Sequence, residues 1–90
     1  MMYSYLTFPD ETMVLHSELR QRDGNKYIEV HFERPCQSGG FNSARAELPS
    51  YKWLYNEGFS EEEIKFFNEF LEHNAHTLFK YAGEGGIKIA

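Results

Sequence analysis

Residues 59–83, FSEEEIKFFNEFLEHNAHTLFKYAG, decide the fold. Ser60 followed three positions later by Glu63 forms a capping box, and Phe59 ahead of the cap is placed to staple onto Ile64. Glu61, Glu62 and Glu63 fill the first turn, where the helix dipole favours negative charge. Ile64, Phe67, Leu71, Ala75, Leu78 and Ala82 then recur at three- and four-residue steps. This predicts one amphipathic helix from Glu61 to Ala82, about 33 Å long at ~1.5 Å per residue. Gly83 reads as its C-cap, with Lys80 in the last turn and Asn74 as a candidate interruption. A single apolar stripe has to be covered by something. The rest of the chain reads as a sheet.

Working back from the helix, the apolar period changes to two. Phe41–Leu48 alternates, with Ala44, Ala46 and Leu48 on one face and Phe41, Ser43, Arg45 and Glu47 on the other; Pro49 ends it. Tyr51–Tyr55 fits either a helical turn or an extension of the strand. Lys26–Arg34 places Ile28, Val30 and Phe32 inward and Tyr27, Glu29, His31 and Glu33 outward. Met13–Arg22 sets Met13, Leu15 and Leu19 against His16, Glu18, Arg20 and Arg22. Gly24-Asn25 reads as a type II′ hairpin loop, which puts Arg20 opposite Glu29, Glu18 opposite His31 and His16 opposite Glu33. Met2–Phe8 is a further strand, turned at Pro9–Thr12 by a proline that presets φ and an aspartate that bonds local backbone. Ile87 and Ile89 flank Lys88 as a candidate fifth strand. The expectation is an α+β fold over residues 1–90, one domain: an antiparallel sheet of about four strands with one long helix packed on one face.

Composition narrows the function classes. The chain has 90 residues, 41% of them hydrophobic and 17% aromatic, which excludes a disordered acidic tail. No apolar run approaches the ~18 residues of a membrane span. The opening MMYSYLTFPD has neither the basic region nor the apolar stretch of a signal peptide. The single cysteine, Cys36, has no internal partner, which points to the reducing cytoplasm. A net charge of −5 argues against a dedicated nucleic-acid binder.

That charge is unevenly placed. Residues 56–79 hold Glu57, Glu61, Glu62, Glu63, Glu69 and Glu72 against Lys65 alone. At about 100° per residue, Glu61, Glu62, Glu69 and Glu72 share a quadrant opposite the apolar stripe, together with Lys65, His76 and Phe79. A solvated helix face explains this pattern. So does a docking face for a basic protein, with the four glutamates as electrostatic contacts and Phe79 as apolar anchor. Phe66 also falls outside the stripe.

The sheet offers a second site of another class. Tyr27, His31, Phe41, Ser43 and Arg45 share its outward face, and arginine beside aromatics suits a stacked, phosphate-bearing ligand such as a nucleotide. His16 and His31 with Glu18 and Glu33 form a zinc-like set, but no close-spaced Cys/His motif accompanies them and cross-strand ion pairing accounts for them equally. His73 and His76, near Glu69 and Glu72, are helix neighbours explained as well by a solvated face. A toxin-like ribonuclease would use His16 or His31 with Arg20, Arg34 or Arg45, against an unfavourable charge balance. Cys36 has no local mark of an activated thiolate, and Gly83–Gly86 follows a helix rather than leading one. The expected set is therefore no catalytic residue, no metal and no cofactor.

The runs YIEVHFERP, GFNSARAELPSYKW and GFSEEEIKFFNEFLEHNAHTLFKYAGEGGI resemble small uncharacterised proteins of bacterial mobile elements and prophages. The resemblance covers most of the chain and brings no activity or site residues with it. It implies a context in which small acidic proteins inhibit host defence, as anti-CRISPR proteins do, or belong to toxin–antitoxin pairs. The leading expectation is a non-enzymatic intracellular inhibitor that docks on a basic, nucleic-acid-binding defence protein, without binding nucleic acid or membrane itself. One further expectation concerns assembly. Met2–Phe8 carries no charge and no internal proline, so its edge is either covered, with the Ile87–Ile89 tail as candidate, or paired in a homodimer.

Overall fold

Asp23 and Gly24 both adopt positive φ, 51° and 81°, so the central hairpin turns through Asp-Gly in the type I′ manner. In a computed structural model describing residues 1–85, the elements are β1 (Met2–Thr7), β2 (Met13–Ser17), β3 (Arg20–Arg22), β4 (Asn25–Pro35), β5 (Phe41–Leu48), β6 (Lys52–Glu57) and α1 (Glu61–Glu84). The six strands are ordered β1-β2-β4-β5-β6, with β3 pairing β4, and neighbouring strands run antiparallel. This is the expected α+β architecture with two additional strands. One comes from a break in the long second strand. The other is Lys52–Glu57, which resolves the helix-or-strand ambiguity of the aromatic run in favour of a strand. The Ile87–Ile89 tail lies outside the described residues.

The Asp-Gly turn shifts each partner on β4 by two residues from that of a Gly-Asn loop, which keeps the faces: Arg20 faces Tyr27, and Arg22 faces Asn25. Beyond Arg20 a bulge intervenes, with three residues, Ser17–Leu19, set against Ile28 and Glu29. The bulge reverses which side chains of β2 face the core. Val14 and His16 point inward, opposite Phe32 and Val30, while Met13 and Leu15 point outward, opposite Glu33 and His31. The expected pairings Glu18–His31 and His16–Glu33 are therefore absent. Arg20 still reaches Glu29 at 3.2 Å, as a diagonal rather than a direct neighbour. Ser17 holds the bulge together: its Oγ accepts from the Glu29 N–H at 2.9 Å and donates to the Glu18 carbonyl at 2.8 Å.

β4 and β5 follow the expected alternation. Ile28, Val30, Phe32, Ala44, Ala46 and Leu48 are all fully buried. The alanines leave room for α1, whose Phe67, Leu71, Leu78 and Ala82 complete the core. Phe67 stacks on Phe32 with centroids 4.3 Å apart. Two polar ties fix the helix on the sheet: the Trp53 indole N–H donates to Asn68 Oδ1 at 2.9 Å, and the Tyr5 hydroxyl donates to Asn74 Oδ1 at 2.8 Å. Asn74 does not interrupt the helix, because its amide N–H returns to the Phe70 carbonyl within the same turn. The capping box of Ser60 and Glu63 forms as expected, whereas the C-cap is Gly85, with φ 78°, rather than Gly83.

β1 is an edge strand among the described residues, and it too is bulged, between Ser4 and Leu6. The bulge turns Tyr3 toward His16 and Tyr5 toward Phe70 and Tyr81. Lysine at Tyr3 or Tyr5 consequently tests packing. The exposed Ser4 and Thr7 are the positions that test pairing along this edge.

Candidate functional site

Glu61, Glu62, Glu69 and Glu72 all lie exposed on the solvent side of α1. Among the described residues, none of the four has an ion-pair partner. The carboxylates of the sheet behave differently. Glu18 and Glu29 pair with Arg20, Glu29 also with Arg45, Glu47 with Arg22, and Asp10 and Glu63 with Arg34. All four arginines are thus paired within the fold; among the described residues, most of the carboxylates that form no ion pair lie on the helix, with Glu11, Asp23 and Glu57 the others.

Phe79 does not serve as the exposed anchor of this face. It is half-buried and packs against the core, because α1 lies on the sheet with a wider apolar arc than the main stripe. The exposed aromatic is Phe66, at 53%. It stands one turn after Glu62 and one turn before Glu69, so the ring is bracketed by carboxylates along the helix. Beside it the β1–β2 turn brings Phe8, whose ring lies 5.5 Å from that of Phe66. Asp10 Oδ1 accepts the Thr12 N–H at 3.0 Å, and the Phe8 N–H donates to the Thr12 carbonyl at 2.8 Å, which closes the turn as its sequence predicts. Between this turn and the first two turns of α1 lies a mainly apolar groove of about 430 Å³, floored by Phe8, Pro9, Phe66 and Phe67 and edged by Asp10, Glu62 and Glu63.

Arg34 binds the two walls of the groove from behind. Its guanidinium lies 3.1 Å from Asp10 Oδ2 and 2.6 Å from Glu63 Oε2, with the Phe59 ring beneath it at 5.0 Å. Burial opposes ionisation of Glu63, but hydrogen bonds from Arg34 and from the Ser60 cap outweigh it and hold the carboxyl below its usual range. Asp10 is lowered by Thr12 first and by Arg34 with it. Arg22 lowers Glu47. Glu18, contacted by Arg20 and by the N-terminal amine, is lowered from 4.5 to about 2. A group with a depressed native pKa stabilises the fold above its unfolded pKa and loses that contribution as pH falls through the native value. Thermal melting followed by circular dichroism is therefore expected to show the melting temperature dropping between pH 4.5 and about 2. Arg34→Gln, which frees Asp10 and Glu63, should make that slope shallower. A melting temperature constant through this window contradicts the pairing.

On the opposite face of the sheet, Tyr27, His31, Phe41, Ser43 and Arg45 do share one side, as their parity requires. They do not converge. Tyr27 and Phe41 stand eight residue steps apart along the β4–β5 pair, about 26 Å at ~3.3 Å per step. Arg45 is committed to Glu29 at 3.1 Å and donates through Nε to His31 Nδ1 at 3.4 Å. That bond assigns the His31 ring proton to Nε2, which faces Glu33 Oε1 at 3.3 Å. The Tyr55 hydroxyl also reaches His31 Nδ1, at 3.3 Å. His31 is 8% exposed beneath these neighbours, and its ring nitrogens are both engaged. Tyr27 is covered by the Arg22 guanidinium, 4.2 Å from its ring centre, beside a polar hollow of about 390 Å³ that also takes in Lys26, Glu47 and Ser50.

The remaining histidine and cysteine candidates separate. His16 is fully buried on the inner face, so it shares no site with His31 on the outer one, for zinc or for ribonuclease chemistry. Its Nδ1 lies 2.9 Å from the Ser17 carbonyl, while its Nε2 has no partner among the described residues. His73 and His76 are exposed on α1. No group of three or more His, Cys, Asp or Glu among the described residues is arranged to hold a metal. Cys36 donates from Sγ to Asn42 Oδ1 at 3.2 Å. No helix among the described residues is long and apolar enough to cross a membrane. Comparison with protein-family models, with curated proteins and with solved structures found no match for this chain.

Proposed function

We propose that the chain is a binding protein whose exposed α1 face docks on a basic protein surface, in the manner of an inhibitor that occupies a nucleic-acid channel. One observation carries this reading. The arginines of the sheet are neutralised internally, while Glu61, Glu62, Glu69 and Glu72 stand in solvent, with Lys65 nearby on the same face but no ion pair formed among the described residues. A row of exposed like charges on a rigid helix raises the encounter rate with an oppositely charged surface. A basic defence nuclease of the kind that mobile elements must resist has such a surface. The groove beside Phe66 replaces Phe79 as the apolar part of the contact. Small-anion binding on the outer sheet is the weaker alternative, because a phosphate there has to displace Glu29 from Arg45.

The test is a fourfold variant, Glu61→Gln, Glu62→Gln, Glu69→Gln and Glu72→Gln, used as bait in capture from host lysate. Exposed polar substitutions of this kind leave stability within about 0.5 kcal/mol each. Capture of the partner is expected to fall about 10- to 1,000-fold through the association rate. Capture by the natural chain should weaken as salt rises, since exposed charges are screened beyond about 8–10 Å. The same partner retained at the same strength by the Gln variant ends the proposal.

A further inference from the structure

Phe66 and Phe67 are adjacent in sequence and opposite in fate: one is 53% exposed and the other 3%. The helix turns Phe67 onto Phe32 and leaves Phe66 as one wall of the groove, facing the Phe8–Pro9 corner of the β1–β2 turn. Both walls are held in place. The turn is closed by its own hydrogen bonds, and Arg34 clamps Asp10 of the turn to Glu63 of the helix. A groove between clamped walls keeps its shape before anything binds, which lowers the ordering cost of binding.

The charges around the groove select its occupant. Asp10 and Glu63 are already satisfied by Arg34, but Glu62 at the rim and Glu69 beyond Phe66 form no ion pair among the described residues, and Lys65 between them is a single charge for both. A purely apolar segment seated here would strip water from Glu62 and offer it no partner. An acidic segment, or the phosphates of a nucleic acid, would meet like charge. An apolar side chain flanked by lysine or arginine satisfies both parts at once.

We propose that this groove receives a short basic segment of a partner protein, with one apolar side chain held between Phe66 and the Phe8–Pro9 corner and flanking Lys or Arg residues paired to Glu62 and Glu69. The assignment rests on the reading of α1 as a docking face and names what that face recognises. Three fluorescein-labelled heptapeptides test it by fluorescence anisotropy at low salt: Gly-Arg-Arg-Leu-Arg-Arg-Gly, its Leu→Ser form and its Arg→Glu form. The leucine peptide is expected to bind at least tenfold tighter than the serine form, and the glutamate form not at all. Phe66→Ser should erase the tenfold preference for leucine, and Glu62→Lys should weaken the leucine peptide, with circular dichroism at the assay temperature showing that the variant is still folded. If the leucine and serine peptides bind alike, the groove is not the recognition element, although the acidic face still stands. If the glutamate form binds as tightly as the arginine form, the charge assignment is wrong. If no peptide binds, the segment proposal fails, while lysate capture with the fourfold Gln variant still judges the docking face separately. Light scattering that shows a dimer lost in Phe66→Ser gives the groove to a second copy and overturns the proposal.

Discussion

Phe67→Ala is expected to lower the melting temperature by about 15–40 °C. Phe67 touches aromatic rings from four separate parts of the chain: it stacks on Phe32 at 4.3 Å, meets Phe59 edge-on at 5.1 Å, lies 6.3 Å from Phe8, and has Trp53 at 6.5 Å. Truncating a buried phenylalanine costs about 3–5 kcal/mol, from lost transfer energy and from the cavity left behind. Phe32 and Trp53 sit on bonded strands, and Phe8 and Phe59 in connections tied by their own hydrogen bonds, so the site collapses poorly and the upper part of that range applies. Each kcal/mol moves the melting temperature of a domain this size by about 4–8 °C. A total stability on the order of 5–15 kcal/mol leaves little after such a loss. Phe66→Ala, one residue away, is the control and should cost far less because its ring is half in solvent. Differential scanning calorimetry on both variants decides it. Equal losses would mean that the aromatic stack does not anchor the helix.

Gly58→Ala carries the second-largest expected effect, and its cause lies in the backbone. Gly58 has φ +105°, a conformation that side-chain-bearing residues avoid at a cost of about 1–3 kcal/mol. An added Cβ also collides with the Asn42 side-chain oxygen and sits 2.7 Å from Asn42 Cγ. Moving Asn42 aside removes the acceptor used by Cys36 Sγ. The position matters because Asn56 locks the crossover from β6 to α1, accepting the Phe59 N–H at 3.1 Å and donating to the Phe59 carbonyl at 2.9 Å. Gly40→Ala supplies the comparison, with a positive φ of 72° but nothing within 4 Å of the added methyl. Urea denaturation should show Gly58→Ala clearly less stable than Gly40→Ala. Equal destabilisation would show that backbone strain alone governs and that the Asn42 contact is soft.

The helix was legible because its signals are local and redundant. Ser60, Glu63 and the three- and four-residue apolar steps each point to the same element, and its first residue and N-cap follow from them. β4 and β5 were legible for the same reason, as strict alternation with alanines at the helix crossing. The register of the central hairpin was not. Asp23-Gly24 and Gly24-Asn25 are overlapping turn signals, and choosing between them requires knowing that Ser17–Leu19 forms a bulge, which no periodicity marks. The bulge, more than the turn, hid the burial of His16 and made Met13 and Leu15 look like core. Edge strand β6 was ambiguous because Tyr51, Leu54 and Tyr55 remain partly exposed and break the alternation. At the candidate site, the four glutamates were legible from helical angle alone. The change of anchor from Phe79 to Phe66 was not, since it depends on where the Pro9 turn stops and how far the sheet margin reaches under the helix.

The strand order has a consequence for how fast the protein forms. Apart from β2 and β4, which the short β3 separates in sequence, every pair of adjacent strands in β1-β2-β4-β5-β6, and β3 on β4, is also a pair of chain neighbours joined by a short connection. Zipping any one hairpin closes only a short loop, and each pairing presents the next strand with a template already in place. Loop-closure entropy therefore stays low at each step, which sets a β-rich chain apart from sandwiches whose partners lie far apart in sequence. Docking of α1 is the step that joins distant residues, Tyr5 to Asn74 among them. Stopped-flow refolding is accordingly expected to be faster than that of a sandwich of similar length, with the docking of α1 closing the longest loops.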